Sequence, residues 1–167
     1  KNYISYIFII LIVITLLFIC KFDNKSSFSE ENNFHIEDPD LITKIFIADR
    51  DGNTLTLNKN NQTWIINDKF FVRDDAIKTL LSTANKVRIK RPVSNAEFDN
   101  VIKFMATTGV YVEFFIDDKI VKSYTIGSNT SDHLGTFMLL KGADKPFIIH
   151  LPFFNGFLSP RYGIQGN

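Results

Sequence analysis

Hydrophobic and polar positions divide the chain into an apolar run, a polar segment and a long region in which short apolar stretches alternate with turns. The apolar run covers residues 3–20 and contains no charged residue, proline or glycine. As a helix it would span roughly 27 Å, close to the hydrocarbon thickness of a bilayer, about 30 Å. We therefore predict a transmembrane helix over residues 1–22. The residues assigned to this membrane anchor are Tyr3, Phe8, Leu11, Leu16, Leu17 and Cys20.

Two other interpretations of the apolar run stay open. A cleaved signal peptide normally has a shorter apolar core and a small-x-small cleavage site, which is missing here. A lipoprotein signal ending at Cys20 would have a small residue before the cysteine, whereas this chain has Ile19. The retained helix is the interpretation that these cues favour.

The segment 23–40 is polar and is predicted to be a tether between the membrane and a domain over residues 41–167. Residues 21–40 hold two basic and six acidic side chains, and almost nothing precedes the apolar run. This arrangement favours a cytoplasmic N-terminus with the domain on the other side of the membrane. Because the composition suggests an AT-rich bacterial genome, we expect a bacterial inner-membrane protein with a periplasmic domain.

Beyond residue 41 the pattern predicts many strands and two helices. Three alternating stretches between residues 43 and 67 form a meander, with Asp51-Gly52 at its first turn. Apolar residues at helical spacing predict helices that begin near Asp74 and Asn95. The second helix is preceded by a capping box, with Ser94 as N-cap and Glu97 three residues later.

A strand between the two helices and two hairpins after the second helix complete the pattern. Strands joined by short turns predict an α+β domain with an antiparallel sheet. Because each helix has one apolar stripe, we expect both helices to pack on one face of the sheet.

Composition and charge exclude several classes of function. The net charge is +1 and the chain has one cysteine, so the sequence predicts neither nucleic-acid binding nor an intramolecular disulfide. Asp49, Asp51 and Asn53 have the spacing of calcium ligands, but the glycine and glutamate of that motif are missing, and a hairpin turn explains them better. No zinc spacing or glycine-rich phosphate loop occurs, so no metal or cofactor is expected.

The adjacent residues Ser131, Asp132 and His133 include the side-chain types of a catalytic triad. Triads are assembled from residues that are distant in sequence, and no nucleophile elbow is present. We therefore expect a protein without enzymatic activity.

Two surfaces are candidates for partner binding. The first is a basic strand face with Arg88 and Lys90, in a domain that carries 16 basic and 12 acidic residues from residue 41 onward; a solvated sheet face is the alternative. The second is the aromatic segment after the last strand, which either covers the open end of the sheet or forms an exposed docking patch. The cover or the patch would be formed by Phe153, Phe154, Phe157 and Leu158, and the patch would be flanked by Arg161 and Tyr162.

The order of elements resembles a bacterial family catalogued as a domain of unknown function, the four-three-four-zero family. The resemblance covers roughly residues 43–160 and rests on the stretches DRDGNTLTLNKNNQTWIIN, DDAIKTLLSTANKVRIKRPVS, FMATTGVYVEFF and YTIGSNTSDHLGTFMLLKGADKPFIIHLP. It implies a single-pass envelope protein with a β-rich domain, of a kind often encoded beside ABC-transporter and gliding-type auxiliary components. The resemblance carries over no functional residues.

These observations lead to one functional expectation and one alternative. The first is a non-enzymatic accessory subunit of an inner-membrane complex, a transporter or a secretion or gliding motor, whose helix and periplasmic domain bind integral-membrane partners. The alternative is a stand-alone periplasmic module that binds a peptide, glycan or lipid in a pocket between the sheet and residues 128–135. The sequence names no small-molecule ligand.

Overall fold

The structure is a computed structural model that describes residues 33–163. The chain divides into two units, residues 1–33 and 34–167, and the strands and helices of the domain belong to the second. The predicted transmembrane helix, with all of its anchor residues, lies outside the described residues. Within the described residues, no helix is both long and apolar enough to cross a membrane.

The domain is built around one antiparallel sheet, whose strands differ in length, and two α-helices. The helices are α1 (Asp74–Lys86) and α2 (Asn95–Thr108), and short 3₁₀ helices cover Pro39–Leu41 and Ser159–Tyr162. The strands are β1 (Lys44–Ala48), β2 (Thr54–Asn60), β3 (Thr63–Ile66), β4 (Phe70–Phe71), β5 (Arg88–Pro92), β6 (Val110–Ile116), β7 (Lys119–Asn129), β8 (Thr136–Leu140) and β9 (Phe147–His150). Within residues 33–163 they form one sheet in the order β4-β3-β2-β1-β6-β7-β8-β9-β5.

The predicted α+β class with an antiparallel sheet is confirmed. Neighbouring strands are antiparallel throughout the sheet. Strands β1–β3 form the predicted meander, and β6–β7 and β8–β9 form the two predicted hairpins. The strand between the helices, β5, pairs with the last strand and forms one edge of the sheet, while β4 forms the other.

The two helices pack against opposite faces of the sheet, so the prediction that they share one face is wrong. Successive residues of a strand point to opposite faces. On β8, Met138 packs in the large cluster that contains Ile77 of α1, whereas its neighbour Phe137 packs in a second cluster with Val101 and Met105 of α2. The apolar residues on one side of each helix show that this side is buried. They do not show which face of the sheet it packs against. The unbroken apolar runs of β8 and β9 are the sequence signal of strands buried on both faces.

The domain begins before residue 41, where the sequence analysis placed its boundary. Phe34 and Ile36 are buried in the large cluster beside α1. The Ile36 amide donates to the Ala84 carbonyl at 2.9 Å, and the Asn85 side-chain amide donates to the Ile36 carbonyl at 2.8 Å. These contacts attach residues 34–36 to the end of α1, so the compact domain begins at Phe34 and includes part of the predicted tether.

The predicted capping box at the start of α2 is confirmed. The Ser94 side chain meets the Glu97 amide, and the Ser94 amide donates to the Glu97 carboxylate at 3.4 Å. The Ser94 hydroxyl also donates to this carboxylate at 2.6 Å, and Arg91 forms an ion pair with it at 3.2 Å. The hydrogen bond from Ser94, followed by that from Arg91, holds the pKa of Glu97 below its ordinary value. The first turn of α2 is therefore stabilised by the ionised form of Glu97.

This contact predicts a specific pH dependence. Since the folded-state pKa of Glu97 is lowered, its contribution to stability is present above the unfolded pKa, about 4.3, and is lost as the pH falls through the folded value. We expect Glu97→Gln to flatten the acid side of the stability profile, measured as the urea midpoint against pH. Ser94→Ala keeps the carboxylate but removes its main donor, and is expected to reduce the same dependence. Parallel profiles for wild type and Glu97→Gln would contradict this role.

Candidate binding site at the C-terminal segment

The chain after β9 folds back onto the domain. The Leu158 amide donates to the Thr136 hydroxyl at 2.8 Å, which joins this segment to the start of β8. Leu158 and Tyr162 are 0% and 2% exposed. The Tyr162 hydroxyl lies 2.9 Å from the hydroxyl of the buried Tyr124. Burial raises the pKa of both tyrosines, so the pair stays uncharged at physiological pH.

The two interpretations of this segment therefore apply to different residues. Leu158, one of the four residues predicted to cover the sheet, is buried in the core, and so is Tyr162, which was predicted only to flank the docking patch. Their assignment to an exposed docking patch is wrong. The sequence of this segment has no regular periodicity, so it does not show which side chains face inward. The surface that remains is formed by Phe153, Phe154 and Arg161, with Phe157 beside them in sequence.

Phe153 is the most exposed large apolar side chain among the described residues, at 110% of its reference area. It occupies a turn in which the Phe154 amide donates to the Leu151 carbonyl at 3.1 Å. Pro152 precedes it, and its own φ is +63°, as at the third position of a type II turn. Glycine or asparagine is expected at such a position, because a bulky side chain is strained there. The domain thus holds a phenylalanine in solvent at a backbone position that disfavours it.

Phe154, Phe157 and Arg161 are half-buried. The Arg161 guanidinium lies over the Phe154 ring at 4.2 Å from its centroid, a cation–π contact. The Arg161 Nε is buried and has no hydrogen-bond partner among residues 33–163. Phe157 lies beside the His133 ring at 6.3 Å between centroids. The Phe154 ring therefore orients Arg161, whose Nε donor has no acceptor among residues 33–163.

An apolar groove of about 310 Å³ lies between α1, strands β1–β3 and the C-terminal 3₁₀ helix. This volume is at the lower end of the usual range for small-molecule sites, about 300–1,000 Å³. The lining from the sheet and α1 is mostly aliphatic, and the C-terminal segment contributes Pro160 to Gly163, including Arg161. The aliphatic residues are Ile47, Leu55, Leu57, Ile66, Val72, Ile77 and Leu80.

The groove differs from the pocket that the sequence analysis expected near residues 128–135. A depression of about 280 Å³ does lie there, lined by Ser128, Ser131, Phe104 and Phe137 among others. It faces α2, whereas the groove lies on the α1 side. The depression has a mixed polar lining that includes Glu97, whereas the groove lining is mostly aliphatic, so the groove is the better candidate for binding an apolar molecule.

The basic face predicted around Arg88 and Lys90 is exposed, as expected for an edge strand. The Arg88 guanidinium donates to the carbonyls of Asn85 and Val87 at 3.0 and 2.8 Å. Lys90 forms an ion pair with Asp132 at 3.6 Å. Because both cations have intramolecular partners, the solvated-face interpretation accounts for them without an acidic ligand.

The side chains considered for metal binding and catalysis support local turns. Asp49 accepts hydrogen bonds from the amides of Asp51 and Asn53 at 2.9 and 2.8 Å, which closes the β1–β2 hairpin. Asp132 accepts hydrogen bonds from the Thr130 hydroxyl and the Leu134 amide, so it caps its own loop. Within the described part of the chain, no group of three or more His, Cys, Asp or Glu residues could hold a metal ion.

Comparison with known proteins identified no relative of this chain. No protein-family model, curated protein or solved structure matches this chain. The candidate site therefore rests on its own geometry. Sequence reasoning missed the groove because its lining comes from five separate elements. It also missed the turn at Phe153, although the proline at position 152 is a signal for the second position of such a turn.

Proposed function

We propose that this protein is a non-enzymatic, single-pass accessory subunit of a bacterial inner-membrane complex, and that its periplasmic domain binds a partner protein through Phe153. The apolar run at residues 3–20 supports the membrane anchor. The resemblance to the four-three-four-zero family supports a transporter or a secretion or gliding motor as the complex. In this proposal the domain over residues 34–163 lies in the periplasm.

The observation that carries this proposal is the exposed Phe153 at a left-handed backbone position. A left-handed non-glycine residue costs about 1 kcal/mol or more, and an exposed phenylalanine recovers none of this through packing. Glycine or asparagine at this position would carry less backbone strain in the free domain. An aromatic ring in the centre of a protein interface, by contrast, contributes strongly to binding. The neighbouring pair Phe154–Arg161 provides the aromatic and arginine side chains that are enriched at such centres.

The proposal predicts opposite effects of Phe153→Asn on stability and on binding. Asparagine tolerates the left-handed conformation, so we expect unchanged or slightly higher stability. We expect recovery of the membrane partner to fall by about tenfold or more, as for loss of an interface hot spot. The measurement is quantitative mass spectrometry of proteins that co-purify with the tagged full-length chain from native membranes in mild detergent.

Phe71→Ala is the matched control, because Phe71 is 79% exposed on the edge strand β4 and has a regular extended backbone. The same partner should also form a covalent adduct when a photoreactive phenylalanine analogue replaces Phe153. Docking through Phe153 would be refuted if the partner formed an adduct from position 71 but none from position 153. It would also be refuted if Phe153→Asn and wild type recovered the membrane partner equally.

The second candidate function is a stand-alone periplasmic ligand-binding module. The aliphatic groove between α1, β1–β3 and the C-terminal segment favours it. A chain that purifies without partners under gentle extraction, and whose thermal stability rises on addition of a ligand, would support this function over the first.

A further inference from the structure

We infer that the groove between α1, β1–β3 and the C-terminal segment binds a free single-chain fatty acid, with Arg161 recognising its carboxylate. This inference deepens the second candidate function and rests on it. Three observations support it: the aliphatic lining of the groove, the position of Arg161 in that lining, and the lack of a free strand edge on which a peptide could pair.

The aliphatic lining fits a hydrocarbon chain. Side chains from the inner strands β1, β2 and β3 form the floor of the groove, and α1 forms one wall. These side chains offer dispersion contacts and apolar surface but no hydrogen bonds. Each methylene group that such a surface removes from water improves affinity about fourfold. A ligand with an unbranched alkyl chain gains most from this lining.

Arg161 supplies charge complementarity at one side of this lining. Its guanidinium is oriented by the Phe154 ring, and its buried Nε has no hydrogen-bond partner among the described residues. Arg161 is the basic residue among the described residues that line the groove, and a carboxylate is the group whose geometry matches a guanidinium. The acidic residue in the lining, Asp75, forms an ion pair with Arg73, so its charge is already compensated.

A peptide fits this site less well than a fatty acid. A bound peptide brings main-chain N–H and C=O groups that need hydrogen-bond partners. The lining strands β1–β3 are inner strands of the sheet, and β4 forms the edge beyond them. Their main-chain groups are engaged with neighbouring strands, so the groove offers no strand edge on which a peptide could pair.

The test is photo-crosslinking of the full-length chain, reconstituted in phosphatidylcholine nanodiscs, with a diazirine analogue of laurate. We expect adducts on peptides from α1 and the C-terminal segment, and competition by unlabelled laurate. Octanoate should compete much more weakly, because it buries fewer methylene groups. The methyl ester of laurate should compete about tenfold less well than laurate, because it lacks the charge that Arg161 recognises.

Three variants make the assignment specific. Arg161→Gln should lower the yield of adduct about tenfold. Ala76→Phe, at an exposed α1 position in the lining, should block the groove and lower the yield similarly without disturbing the core. Lys103→Gln removes one positive charge from the exposed side of α2 and should leave the yield unchanged.

The inference would be overturned by adducts confined to residues 1–22, by equal competition from laurate and its methyl ester, or by yields that Ala76→Phe leaves unchanged. Preferential adducts with a photoreactive peptide in place of the fatty acid would also overturn it. None of these results depends on the co-purifying partner or on Phe153. Failure here and failure of the accessory-subunit proposal are therefore distinguishable.

Discussion

Replacing Leu158 with alanine is expected to lower the free energy of unfolding by about 2–5 kcal/mol. Leu158 is fully buried although it lies after the last strand. Its amide is also fixed by the Thr136 hydroxyl at 2.8 Å, so the backbone has little freedom to close the cavity. The measurement is urea unfolding of the full-length chain in mild detergent, followed through the fluorescence of Trp64. This is the single tryptophan of the chain, and it is 5% exposed in the folded domain.

Phe153→Ala is the matched control for this prediction. It removes a larger apolar side chain only five positions away, yet that side chain contacts solvent, so the expected change is within about 0.5 kcal/mol. If Leu158→Ala were equally neutral, the C-terminal segment would not be part of the core. Leu158 would then again be available for docking.

The local elements of the fold were predictable because their signals are local. Alternation in β2 and the Asp51-Gly52 turn identify the first hairpin, and the Ser94–Glu97 capping box identifies the start of α2. Each of these signals is contained in a few consecutive residues. The α+β class follows from the order of such elements.

The arrangement of elements across the sheet was less predictable. An apolar stripe requires a buried side but is satisfied equally by either face of a sheet, so the placement of α1 and α2 on opposite faces had no signal within the helices themselves. The signal lies in β8 and β9, where buried residues such as Phe137 and Met138 are adjacent in sequence. Periodicity alone assigns such runs to buried strands without identifying what covers each face.

The candidate site was predictable only in part, for two physical reasons. The aromatic segment after β9 is conspicuous in the sequence, but a segment without regular periodicity does not show which side chains face inward. Phe153 and Leu158 therefore received the same assignment, although one is in solvent and the other in the core. The groove depends on β1–β3, α1 and the C-terminal segment coming together, which is a property of the tertiary structure.

Phe34→Ala is expected to destabilise the domain by about 3–5 kcal/mol, the largest effect predicted here. Phe34 is 2% exposed, and its ring lies 6.0 Å from the ring of Tyr124 and 6.0 Å from that of Phe147. Removing it leaves a cavity between β7, β9 and α1 that the sheet cannot close. Urea unfolding followed through Trp64 measures the effect in the full-length chain.

Phe104→Ala is the control for this substitution, because Phe104 is 52% exposed on α2 and its removal leaves no cavity. The comparison decides where the domain begins. A loss for Phe34→Ala several times larger than for Phe104→Ala means that residues 34–40 fold with the sheet and that a tether to the predicted anchor ends before Phe34. Equal, small losses would restore the boundary at residue 41. In that case the hydrogen bonds between Ile36 and the end of α1 would have no part in the stability of the domain.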